Sequence, residues 1–115
     1  MNDKFELVRC LREGRDCQEH RLFLNRGFNE SDSFLINKEY DLSILTLKEA
    51  YYKTTELQET SCAQCANLFR CTITKSLESI QDDLYRMTRG FFGTKRFQSS
   101  YELVSNVLAE IKKEN

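Results

Sequence analysis

The sequence predicts an all-α fold of four main helices preceded by a short N-terminal one. Three observations carry that prediction. Apolar residues recur at spacings of three and four through most of the chain, as in helices with one buried face. No proline occurs in 115 residues, so the strongest helix breaker is missing. No alternating apolar and polar run is long enough for a strand.

The first element is short: Phe5, Leu7, Val8 and Leu11 make an amphipathic stretch that Gly14 stops. Asp16 then caps a helix, with Glu19 at capping-box spacing, and Leu24, Phe28, Ser31 and Leu35 fall on its inner face. Gly27 inside it costs about 1 kcal/mol relative to alanine. Asn37-Lys38-Glu39-Tyr40 is a polar turn, after which Asp41 caps a helix with Ile44, Leu47, Ala50, Tyr51 and Leu57 inward. A second polar break covers Gln58-Glu59-Thr60-Ser61, where Thr60 or Ser61 suits an N-cap. The longest stripe follows: Cys62, Cys65, Phe69, Ile73, Leu77 (or Ser76), Ile80, Leu84, Met87 and Phe91. It spans about thirty residues, the pattern of a long bundle helix, and stops at Gly90-Phe91-Phe92-Gly93. A last helix after Phe97 turns Tyr101, Val104, Leu108 and Ile111 inward and ends on Lys112 and Lys113, which complement its dipole. Short connections between these elements make consecutive helices antiparallel neighbours.

Composition places the chain, residues 1–115, as a single domain able to remove roughly two-thirds of its unfolded surface from water. Apolar residues make up 40% and charged residues 30%. The 17 basic and 18 acidic residues balance to a net charge of −1, which argues against a dedicated nucleic-acid binder. No apolar run approaches the roughly 18 residues of a membrane span. The start, Met1 to Glu6, is charged and lacks an apolar signal core, so a cytoplasmic location is expected. There the five cysteines, an odd number, read as free thiols or metal ligands before disulfides.

Residues 24–57 carry a further pattern. Small Ser31, aromatic Phe34, the Tyr40-Asp41 pair at the turn, small Ser43, and large Leu47 followed by small Ala50 fall in the order of a helix–turn–helix unit. In this the stretch resembles a tetratricopeptide repeat. A weaker echo runs through 84–110, in Leu84, Thr88, Phe91, Phe97, Ser100, Val104 and Val107. The chain departs from the repeat at Gly27, where the repeat has a tryptophan or another large residue, at Glu30, where it has leucine, and in the wide offset between the two echoes. The resemblance implies stacked antiparallel helical hairpins and a role in protein interaction.

No phosphate-binding glycine loop, paired-carboxylate site or Ser-His-Asp set is present, so an enzyme is not expected. The leading expectation is a non-enzymatic interaction module, without cofactor, that binds a partner protein or a second copy through a helical groove. The long apolar stripe would supply the homodimer face. Arg86, Arg89, Phe92, Lys95 and Arg96 form the most cationic segment, with aromatic residues interleaved, and are candidate partner contacts. The same charges could instead serve a helix C-terminus. An alternative reading joins Cys17 and His20 to Cys62 and Cys65, two pairs each three residues apart, as a Cys3His zinc set or a thiol sensor. Against it, Cys62 and Cys65 also begin the apolar stripe, where cysteine packs as a small core residue.

Overall fold

The computed structural model describes residues 15–60, 63–89 and 94–114. They form four α-helices: α1 (Arg15–Ile36), α2 (Tyr40–Thr60), α3 (Ala63–Thr88) and α4 (Thr94–Glu114). The protein is all-α. The short N-terminal helix expected around Phe5 to Leu11 lies outside the described residues, as do the Ser61-Cys62 cap region and the Gly90 to Gly93 turn.

The core follows from α3. Cys65, Ala66, Phe69, Ile73, Leu77, Ile80 and Leu84 are all buried, at the three-and-four spacing that makes one continuous stripe. These seven residues leave no surface for a second copy, while Met87 further along the stripe is half-buried and Cys62 and Phe91 lie outside the described residues. Ile44, Leu47, Ala50 and Tyr51 from α2 and Val104, Val107, Leu108 and Ile111 from α4 close over it. Helices α2, α3 and α4 each touch the other two, whereas α1 packs chiefly on α2 through Leu24 and Phe28.

Cross-helix contacts fix the directions. Ser31 meets Ser43, and Gly27 lies close to Ala50, so α1 and α2 run in opposite senses. Arg70 reaches Thr54 while Tyr40 reaches Met87, which sets α3 against α2. Gln81 bonds Ser105 and Tyr85 stacks near Tyr101, so α4 reverses again. Helices α1 and α3 are thus parallel to each other.

The last helix, expected after Phe97, begins at Thr94, and α3 ends at Thr88, short of Phe91. Three further positions differ from the sequence reading, each for a local reason. Helix α2 begins at Tyr40, with the Ser43 amide donating to the Glu39 carbonyl, so Asp41 lies in the first turn and is not the cap. Its carboxylate instead accepts a hydrogen bond from Ser100 Oγ at 2.6 Å, tying α2 to α4. Helix α2 also runs through Gln58 and Glu59 to Thr60, because three polar residues without glycine or proline do not oblige a helix to stop. Asp16, likewise expected as a cap, lies within α1.

The turn between α1 and α2 closes by backbone bonds. The Glu39 amide donates to the Phe34 carbonyl at 2.8 Å and the Lys38 amide to Leu35 at 3.0 Å, the two bonds of a Schellman motif. The position between them takes a left-handed conformation, and here it is Lys38, at φ 61°. A side chain costs about 1–2 kcal/mol in that region. Lys38→Gly should therefore raise stability by about 0.5–1 kcal/mol after the entropy that glycine adds to the unfolded chain. Urea unfolding checks this through a higher midpoint at unchanged slope. Phe69→Ala, by contrast, empties the centre of the core and should cost about 3–5 kcal/mol in the same measurement.

A candidate interaction groove between α1 and α3

Helices α1 and α3 flank α2 without closing over it. Between them lies a groove with a cavity of about 340 Å³. Its floor is apolar, from Phe28 of α1, Leu47 of α2 and Ile80 of α3. Its α3 wall is Thr72, Ser76, Ser79 and Asp83, residues at helical spacing that are too small or too polar to fill it. Opposite stand Ser31, Asp32 and Leu35 of α1.

The groove exists because α1 and α2 approach closely. Ser31 and Ser43 are both buried, and their hydroxyls lie 2.5 Å apart. Ser43 Oγ also donates to the Ser31 carbonyl at 3.1 Å, so each hydroxyl finds a partner in the contact. A turn below, Gly27 faces Ala50, and a β-carbon on the glycine would stand 3.7 Å from that of Ala50. Small residues thus let α1 sit deep against α2 and leave its other flank to line the opening.

The α3 wall is fastened to α2 at both ends. Near one end, Arg70 Nε donates to Thr54 Oγ1 at 2.7 Å, and the Arg70 guanidinium lies 5.7 Å from the centre of the Tyr51 ring. At the other, the Tyr40 hydroxyl donates to Met87 Sδ at 3.7 Å, and the Tyr40 ring meets Phe97 edge-on at 6.0 Å. The groove is therefore held open by packed elements on both sides, as a binding site that needs little rearrangement should be.

The residues proposed from the sequence fall elsewhere. Arg86 and Arg89 are exposed at the end of α3, where Arg89 stacks over the Tyr85 ring at 5.1 Å. Arg86 lies in the last turn, where the helix dipole favours it. Lys95 and Arg96 occupy the first turn of α4, where the dipole does not, so the dipole explanation serves only half of that segment. Phe92 lies outside the described residues, as do the side chains of Lys95 and Arg96.

Of the four residues of the zinc reading, Cys65 is buried in the core, while Cys62 and the side chains of Cys17 and His20 lie outside what is described. Among the described residues no group of three or more His, Cys, Asp and Glu side chains is placed to hold a metal ion.

The sequence reading expects a groove between the long third helix and its neighbours but does not name these lining residues. Their signal is the polar stripe Thr72, Ser76, Ser79 and Asp83 running beside the apolar one on α3. Asp83 reads from the sequence as half of a solvated charge pair with Asp82; it is exposed, and it also borders the cavity.

No family model matches the chain, and neither the curated proteins nor the solved structures contain a match to it.

Cys65 and Cys71 differ sharply in exposure, since Cys71 is exposed and Cys65 is buried. Iodoacetamide should therefore alkylate Cys71 in the native protein and reach Cys65 only on unfolding, because only an accessible thiol reacts readily. Peptide mapping by mass spectrometry checks this. Equal labelling of both would contradict the packing of Cys65.

Proposed function

We propose that this chain is a non-enzymatic protein-interaction module that receives a segment of another protein in the groove between α1 and α3. The observation that carries the reading is the groove's construction: an apolar floor of Phe28, Leu47 and Ile80, kept open by hydroxyl-bearing side chains on one wall. A cavity of about 340 Å³ falls at the low end of the range for ligand pockets, roughly 300–1,000 Å³. It admits a few side chains of a partner and not the body of a helix.

The tetratricopeptide-like order of Ser31, Phe34, Tyr40, Asp41, Ser43, Leu47 and Ala50 supports the same reading, since it belongs to helical hairpins that present grooves to peptides. Arg86 and Arg89 stand beyond the Asp83 end of the groove and would extend the contact along α3. A cytoplasmic setting suits such a module. No helix among the described residues is long and apolar enough to cross a membrane.

Selection from a random peptide display library tests the proposal. The native chain should enrich related peptides. Ser76→Trp, which fills the groove from its α3 wall, should weaken their binding about tenfold or more, a loss of about 1.4 kcal/mol, with its circular dichroism unchanged. Enrichment of no peptide, or peptide binding indifferent to Ser76→Trp, would remove the groove from consideration.

A further inference from the structure

Charge is spread unevenly along the bundle. Residues 36–42 and 85–99 hold five basic side chains against two acidic ones, while the rest of the chain holds twelve against sixteen. Tyr40 brings the two stretches together at one end of the molecule: its hydroxyl meets Met87 near the end of α3, and its ring meets Phe97 near the start of α4. Lys38, Leu42, Phe97 and Ser99 border one cavity there, of about 370 Å³. Arg86 and Arg89 are exposed at the end of α3, and Lys95 and Arg96 belong to the first turn of α4. Of the two acidic residues, Asp41 is already engaged by Ser100. Asp82, Asp83 and Glu102 reverse the sign further from the end, so the basic surface is confined to it. Two features mark this end as more than a solvated charge cluster. Lys38 holds its cation at φ 61°, where a side chain is disfavoured, and strain of this kind concentrates where a residue has a task. Two positions before it, Ile36 is 80% exposed, the most of any large apolar residue described, and Leu42 is exposed on the other side of the turn.

We infer that this end of the bundle is a second docking surface, and that it takes an acidic segment of a partner protein with a large apolar residue among its carboxylates. The inference does not rest on the groove, whose α3 wall ends at Asp83. Charge complementarity selects the sign of the segment and steers its approach. The two guanidinium groups of Arg86 and Arg89 match carboxylates in geometry as well as in charge. The apolar residue of the segment covers Ile36 and Leu42, which a phosphate backbone has no means to cover. A nucleic acid or an anionic bilayer extends past the end and meets the net acidic remainder of the chain, within reach of a Debye length of about 8 Å. A short acidic segment meets the basic end alone. Size thus discriminates here together with charge.

Peptide display on the full chain carrying Ser76→Trp, which fills the groove, tests this surface apart from the groove. Enriched peptides should be rich in Asp and Glu around a large apolar residue, and their affinity, read by fluorescence anisotropy, should weaken as salt rises. Arg86→Glu together with Arg89→Glu should weaken binding about tenfold or more, and Ile36→Ser about threefold. Lys38→Gly separates binding from folding, because it should weaken binding about threefold while raising the urea midpoint. No enrichment on the Ser76→Trp chain, enriched peptides without acidic residues, or binding indifferent to Lys38→Gly and to the paired arginine substitutions would each overturn the inference. Tighter binding of a single-stranded oligonucleotide or of phosphatidylserine vesicles than of the enriched peptides would make a polyanion the occupant, and would overturn it as well.

Discussion

The fold depends on the apolar stripe of α3. Phe69, Ile73, Leu77 and Leu84 face inward along the length of the longest described helix, and α2 and α4 are placed where they can cover it. Burying a side chain of this size stabilises by about 1.5–3 kcal/mol, and the stripe adds several such burials along one helix. The ion pair between Lys48 and Glu110, at 3.2 Å, joins α2 to α4, but both side chains are well exposed and the pair is worth about 1 kcal/mol at most. Polar groups here set register and spacing. The stripe supplies the stability.

That division shows most clearly at Ser31 and Ser43. Two larger side chains at these positions would hold α1 away from α2 and widen or flatten the groove above them. Two alanines would permit the approach and lose the bonds that align it. The reciprocal hydroxyl contacts permit closeness and fix it in one register. On the far wall the same logic is inverted. Among the described residues Thr72, Ser76 and Ser79 make no bridge to α1, and their small size leaves space between the two helices.

Much of this was legible in the sequence because it is local. The spacing of Phe69, Ile73 and Leu77 declares a helix and its buried face, and Asn37 to Glu39 declare a turn by their polarity. The small residues Ser31 and Ser43 were matched as opposite one another, and they are in contact. What was illegible depends on relations between distant segments. Asp41 has the chemistry of a cap, and only the arrival of Ser100 from α4 explains its different use. Nothing local marks Lys38 for a left-handed conformation that glycine or asparagine would ordinarily take. The lining of the groove is the extreme case. The groove is bounded by two helices that are not neighbours in sequence, so its make-up follows from the tilt and depth of each against α2. The hydroxyl stripe on α3 was visible, yet a stripe of serines more often faces water than a cavity.

The unequal embedding of α1 has a consequence for how the molecule comes apart. Helix α2 packs on three described neighbours and α3 and α4 on two each, whereas α1 leans chiefly on one. Withdrawing α1 breaks the Ser31–Ser43 contact and exposes Leu24 and Phe28, but leaves the packing of Phe69 and Leu77 against α4 in place. Among the described helices α1 is therefore the one expected to open first, and α3 the last. Since α1 is also one wall of the groove, an occupant gripping both walls would draw the weakest helix into the cooperative unit, and amide hydrogen exchange across α1 would slow although no new covalent or backbone bond had formed there.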